Sequence, residues 1–306
     1  MVDVSVIIVN YKTPQLVADC VRSVTAHTRG VDYEIIIVDN HSCDDIAARV
    51  EQLRSEERLD DRLSLIQLTD NIGFGKANNK GVATARGRNI LFLNPDTLLL
   101  NDAVSILSEY LDTHDGVGGV GGNLYDELMR PALSLRRIYP GIRWELSDMT
   151  LHTVERLIFR GSWCFNKTGR PLPVAYCSGA DLMVRRSVID SVGCFAPEFF
   201  MYYEETDLCR RIRRGGYGVV SVPQARIQHL EGKSFRRDKE PISRRGLLLA
   251  EQGRRVYYKK NVDGVRRAVA NGIYNLSLRG LYAVSLLTGR GDSAAFKYRI
   301  EVSREG

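Results

Sequence analysis

Four short apolar runs in the first third of the chain constrain its fold more than any other feature: VSVIIVNY (4–11), YEIIIVDN (33–40), LSLIQL (63–68) and a run over 89–94. Each has strand length and is rich in β-branched residues. Between them the pattern predicts helices at 14–27, opened by Pro14, at 44–58 and near 75–86. Strands alternating with helices imply a parallel sheet with right-handed crossovers, and such sheets bind ligands outside their strands' carboxyl ends. Three of the four ends carry polar residues: Asn10-Tyr11, Asp39-Asn40 and Asn94-Pro95-Asp96. Proline has no N–H to donate and stops ladder pairing, so Asp96 is left at the sheet edge.

The second half is less regular. A helix is expected over 101–113, then the glycine-rich GVGGVGGNLYD (116–126) and a stretch bearing arginines and aromatics to about 173. A strand is expected at 174–186, a short helix at 187–195, a helix at 204–216 ended by glycine, and a strand at 217–223 followed by RIQHLEGKSF (226–235). Residues 243–288 read as mainly helical, with Val265, Val269, Ile273, Leu276, Val284 and Leu287 near helical spacing.

The 306 residues, 44% hydrophobic and 26% charged, have ordinary globular composition. The start lacks a basic region and cleavage site, no apolar stretch reaches membrane-spanning length, and the six cysteines lack metal-knuckle spacing, which together imply a reduced, cytoplasmic protein. Net charge is +6, but residues 233–306 hold 17 Lys and Arg against 7 Asp and Glu. A basic helical tail fits an anionic membrane surface, here the inner face of the plasma membrane; it fits equally a helix packed on its own domain or on the mate in a homodimer. No nucleic-acid reading motif accompanies these charges.

Several residues have the chemistry of a nucleotide-diphosphate site. Asp39 can accept from a base or a ribose, or cap the next helix with Asn40 and Ser42, while Tyr11 offers a stacking face. DNIGFGKANN (70–79) opens a helix with Gly73 and Gly75 allowing close backbone approach to phosphate, and Lys76 and Asn78 are either contacts or solvated and capping residues. It lacks the pattern of an ATP-hydrolysing P-loop. Asp96 suits a hard divalent ion, Mg²⁺ or Mn²⁺, completed by water and diphosphate oxygens, or else a simple turn. Glu204, Glu205 and Asp207 crowd a helix start, where repulsion raises the proton affinity of one of them and suits a general base. His229 is a lone histidine beside Gly232-Lys233-Ser234, which could meet phosphate.

In order, VSVIIVNYK, IIIVDNHS, DNIGFGKANN, FLNPDT, SGADLMVRR, FFMYYEETDLCRR and HLEGKSF resemble the successive motifs of family 2 inverting glycosyltransferases, nearest their rhamnosyltransferase-like branch, over about residues 3–260. The resemblance implies an α/β chain with the A-type glycosyltransferase fold, a mostly parallel Rossmann-like sheet flanked by helices. Residues 1–240 would be catalytic, with a nucleotide-binding half (1–100) and an acceptor half (101–240), and 241–306 a basic helical extension. Tyr11 and Asp39 would hold a pyrimidine base of a dTDP or UDP sugar. Asn10, Asn94 and the turn from Asn71 through Gly73, Phe74 and Lys76 to Asn78 would border the nucleotide. Asp96 would be the last acid of the DXD-type metal motif, here in the NPD form of that branch, and His229 would complete the metal or diphosphate site. Gly179, Ala180 and Asp181 would lie beneath sugar and acceptor. The base would be Glu205, where aspartate is usual, or Glu204 sharing the role, and Asp207 would orient the helix. The implied reaction transfers a hexose, first of all L-rhamnose, to a cell-surface glycan or polyprenyl-diphosphate-linked acceptor. A nucleotidyltransferase would instead open with a glycine-rich basic loop, which NYKTPQL is not. A non-catalytic nucleotide-sugar binder on the same scaffold is the rival of another class.

Overall fold

A computed structural model describes residues 2–150, 152–230, 244–289 and 291–304. The four apolar runs form β1 (Val4–Asn10), β2 (Tyr33–Asp39), β3 (Leu63–Gln67) and β4 (Asn89–Leu93), with α1 (Pro14–His27), α2 (Ile46–Glu57) and α3 (Phe74–Thr84) between them. Every residue of β1, β2 and β4 is buried. Burial on both faces is what their unbroken hydrophobicity encodes. Alternate residues divide between two cores: Val6, Ile8, Ile35 and Ile37 pack with α1 and α2, while Ile7, Val9, Ile36 and Val38 pack toward α3.

These strands pair in parallel in the order β3-β2-β1-β4, so the direction of winding reverses between β1 and β4. A crevice opens at such a reversal, beyond the carboxyl ends. The chain then runs through β5 (Thr97–Leu99), α4 (Ala103–Thr113), β6 (Val117–Tyr125), β7 (Leu135–Arg136), α5 (Ile142–Met149), α6 (Thr153–Ile158), β8 (Leu172–Pro173), β9 (Tyr176–Cys177) and β10 (Asp181–Arg185). Next come α7 (Arg186–Val192), α8 (Glu204–Arg214), β11 (Gly218–His229), α9 (Arg244–Asn261), α10 (Gly264–Thr288) and α11 (Ser293–Arg304). The sheet continues β4-β10-β6-β11-β5, with β10 antiparallel to β4 and β6, β11 parallel to β6, and β5 antiparallel to β11. The carboxyl ends of β1, β2, β4 and β11 and the start of β10 therefore share one edge.

Two stretches to which the sequence assigned no element take regular structure, and one expected strand divides. The glycine-rich segment is the central strand β6: a Cβ on Gly118 would lie 2.8 Å from that of Tyr217, and one on Gly122 2.6 Å from the Ala225 carbonyl oxygen. Glycine there admits close packing rather than a turn. The strand expected over 174–186 divides at Ser178-Gly179-Ala180 into β9 and β10, and the arginine- and aromatic-bearing stretch after β7 holds two helices.

The tail is joined to the body. Tyr257 and Tyr258 of α9 pack with Ala196, Phe199 and Ala270, and Asn261 donates to Asp207 Oδ1 at 2.9 Å. In α10 the side turned inward carries Ala270, Tyr274, Ser277, Leu278 and Ser285. Of the stripe picked out by spacing, Val265, Val269, Leu276, Val284 and Leu287 face outward and Ile273 is half-buried. No helix among the described residues is long and apolar enough to cross a membrane.

Candidate active site

The β1 and β2 ends are tied together by Asn10. Its amide donates to Asp39 Oδ1 at 3.1 Å and Ser42 Oγ at 3.0 Å, and its own Oδ1 accepts from the Thr13 N–H. Asp39 Oδ1 also receives the Ser42 N–H at 3.3 Å. One carboxylate oxygen of Asp39 thus orders the turn after β2, but it does not cap the next helix, which begins at Ile46 with Asp45 at its N-cap position. Tyr11 follows, half-buried, with the Lys12 ammonium 5.4 Å from its ring centre.

Asn40, read from sequence only as a possible cap, links this edge to the glycine turn. Its amide donates to Asn71 Oδ1 at 3.0 Å and its Oδ1 accepts from the Ile72 N–H, while Asn71 Oδ1 also accepts from the Gly73 N–H. Gly73 has φ of +89°, and a Cβ there would stand 2.4 Å from the Phe200 carbonyl oxygen, so only glycine fits this close approach. Phe74 donates its N–H to that oxygen at 2.9 Å. Lys76 is half-buried, and Asn78 turns its amide onto the Phe74 carbonyl at 3.1 Å. A further clamp escaped the sequence reading: Asn79 donates to the Phe195 carbonyl at 2.7 Å and accepts from its N–H.

At the end of β4 the Asn94 N–H donates to the Ala180 carbonyl, and Asn94 Oδ1 is buried without a hydrogen-bond partner among the described residues. Asp96 is 4% exposed. Because β5 pairs with β11 so that Thr97 faces His229, the sheet register carries His229 Nε2 to 3.4 Å from Asp96 Oδ1. The Leu230 N–H donates to the Asp96 carbonyl at 2.9 Å, locking this approach. Gly232-Lys233-Ser234 lies outside the described residues. Among the described residues no three His, Cys, Asp or Glu side chains gather as a metal cage.

Asp181 is completely buried: its Oδ2 accepts the Gly122 N–H at 2.6 Å and its Oδ1 has no hydrogen-bond partner among the described residues. Burial pushes its carboxyl up to about 7, against the lowering effects of that N–H and of His229. Gly179 lies against Glu205; a side chain on it would come within 3.4 Å of the glutamate's Cβ and Cγ.

Tyr202 and Tyr203 both adopt left-handed backbone, with φ of 69° and 68°, before α8 begins. Two consecutive bulky residues in that region hold backbone strain where the acids start. Glu204 is 5% exposed and one of its oxygens lacks a hydrogen-bond partner among the described residues. Desolvation, then the charge of Glu205, lifts its carboxyl well above the usual range. Glu205, less covered, is also raised, chiefly by desolvation. Asp207 differs, being ion-paired to Arg211 at 2.8 Å and bonded by Asn261, so it fastens α8 to α9.

The geometry joins a strand-end crevice, an acid–imidazole pair and two carboxyls raised by desolvation on one edge. The family model described as "Glycosyl transferase family 2" matches residues 5–193. An N-acetylglucosaminyl-diphospho-decaprenol L-rhamnosyltransferase of Mycobacterium tuberculosis is 42% identical over 66 residues, 22% of this chain and 22% of that protein. The low-salt glycan biosynthesis hexosyltransferase of Haloferax volcanii is 26% identical over 221 residues, 71% of this chain and 64% of that one. The chain thus spans less than two thirds of either relative's length. A mannosyltransferase of Pyrobaculum calidifontis, solved with GDP-Man and Mn²⁺, superposes with a TM-score of 0.60 at 14% identity, covering 99% of this chain and 86% of that one. With a family match across most of the sheet and a shared architecture, the chain belongs to glycosyl transferase family 2 and has the A-type glycosyltransferase fold.

Proposed function

We propose that the protein is an inverting hexosyltransferase that takes a sugar from a nucleoside diphosphate donor to a hydroxyl of a lipid-linked glycan acceptor. The observation that carries this reading is the pair of glutamates at the start of α8, Glu204 buried and Glu205 half-buried against Gly179, at the edge that also holds Asp96 and His229. L-Rhamnose from dTDP-rhamnose is the first choice of donor, supported by the short match to the mycobacterial rhamnosyltransferase; UDP-hexose or UDP-N-acetylhexosamine is the alternative. The same relative's name motivates the polyprenyl-diphosphate acceptor.

Asp39 and Tyr11 receive the base, and the Asn71–Asn78 turn borders the nucleotide through the half-buried Lys76 rather than through the Ile72, Gly73 and Phe74 N–H groups, which are spent on Asn40, Asn71 and Phe200. Glu205 takes the proton of the acceptor hydroxyl as its oxygen attacks the anomeric carbon, and configuration inverts in that single displacement. A carboxyl held above its usual range is a competent base near neutral pH. Glu204, more deeply buried, is raised further by desolvation and by the charge of Glu205, so of the two it holds its proton more tightly. A divalent ion fits the donor set, a carboxylate oxygen of Asp96 and the imidazole of His229 at 3.4 Å, with the unpartnered amide oxygen of Asn94 nearby in the chain. When bound, it would neutralise the departing diphosphate.

The test is a donor panel with Mg²⁺ or Mn²⁺, reading released nucleoside diphosphate and transferred sugar. Turnover of one donor, lost in Glu205→Gln with nucleotide binding retained, is expected. Binding of donor with no turnover by the wild type under any acceptor would favour the non-catalytic binder.

A further inference from the structure

We propose that the α5–α6 segment is a membrane-docking element that lays its outer apolar face into the interface of an anionic bilayer. In α5, Arg143, Leu146 and Met149 follow one another at i, i+3 spacing on a single face, and in α6 Val154, Leu157 and Ile158 do the same. All five apolar side chains point outward: Leu146 is 44% exposed, Met149 43%, Val154 51%, Leu157 75% and Ile158 66%. The polar sides of these helices face inward instead. Glu145 is buried and accepts from Arg254 at 2.9 Å and from the Tyr258 hydroxyl, and Glu155 is buried beside His152 at 3.2 Å. An ordinary surface helix has the opposite arrangement, so this face calls for an apolar partner.

Charge identifies the partner. Arg143, Arg156, Arg160 and Lys167 are exposed around the apolar face, whereas the acids of the segment, Glu145, Asp148 and Glu155, are engaged by Arg254 or His152. A second copy docked through this face by two-fold symmetry would oppose arginine to arginine. Anionic headgroups complement them. Trp144 and Trp163, the two tryptophans of the chain, flank Arg136 at 4.9 and 4.6 Å at the foot of the segment, as amphipathic rings do at headgroup level. Helix α10, packed on α5, repeats the combination: Leu276, Val284 and Leu287 outward, Arg279 exposed, and no acid between 264 and 288.

This inference deepens the lipid-linked acceptor reading but is tested without catalysis, by flotation of the full chain with phosphatidylcholine vesicles with or without phosphatidylglycerol. The wild type should float with the anionic vesicles, less in high salt, and remain behind with the neutral ones. Leu157→Glu/Ile158→Glu, both at exposed sites and so expected to melt like wild type, should lower the bound fraction by about tenfold or more. Arg156→Ala/Arg160→Ala should weaken binding to anionic vesicles alone. A wild type that does not float, a Leu157→Glu/Ile158→Glu variant that floats equally well, or a wild-type dimer that this variant turns into a monomer in light scattering would each overturn the proposal. Sugar transfer to a soluble acceptor, measured in parallel, reports on the glycosyltransferase reading separately.

Discussion

Two buried glutamates at opposite edges of the molecule have opposite fates. At the amino edge of the sheet, Glu34 is 6% exposed and fully served: Ser5 Oγ donates at 2.6 Å, the Arg86 N–H at 2.6 Å and the Arg86 guanidinium at 2.7 Å. Desolvation would raise its carboxyl, yet these donors together hold it below the usual range. At the carboxyl edge Glu204 is equally buried, lacks a partner for one oxygen among the described residues, and is raised well above that range. Burial alone therefore does not mark function. A buried carboxyl left short of donors marks a candidate site, because the chain accepts its desolvation cost without structural return.

The sharpest way to break this contrast is Glu205→Gln, expected to lower transfer by about 10³-fold with nucleotide binding kept, since that is the scale of general-base catalysis. In the wild type, log kcat/KM should rise with pH through a limb lying above the ordinary glutamate range, because Glu205 binds its proton more tightly than a free side chain. A limb near the normal glutamate value, or an active Gln variant, would remove Glu205 from the chemistry. Next in size, Asp96→Asn, or a chelator on the wild type, should cost about 10²-fold in transfer; no change on either would separate Asp96 and His229 from any metal. Glu34→Ala should do the converse, destabilising by about 2 kcal/mol through its stranded donors while kcat and KM stay put. Measuring an activity loss with no shift in melting would invert the comparison.

The smallest expected effect is a pH dependence in the α5–α6 segment. Hydrogen bonds that His152 donates to the Asp148 and Glu155 carboxylates raise it above its ordinary value. A raised histidine stabilises the fold below its unfolded pKa of about 6.5, and that contribution disappears as pH climbs through the folded value. Thermal melts across this window should show a modest decline that His152→Gln flattens.

Legibility in the sequence followed the range of the physics involved. Strands β1 to β4 were readable because alternation of β-branched runs with helical spacing is local, and Asp96 stood out because Pro95 ends the ladder before it. β6 was opaque: its glycines resemble a loop, and only the crowding of Tyr217 and Ala225 explains them. Asn79 was equally hidden, since its partner Phe195 comes from a distant loop.

Residue types and their periodicity determined by themselves that a parallel sheet would form and that carboxylates and amides would punctuate its carboxyl edge. Tertiary structure alone decided that His229 meets Asp96, through the antiparallel register of β11 on β5. It also decided that Glu204 and Glu205 keep their protons more tightly than free side chains, and that the valine and leucine stripe of α10 turns away from the body. Spacing along a chain encodes which residues share a face; which face is covered, and by what, depends on packing between segments far apart in sequence.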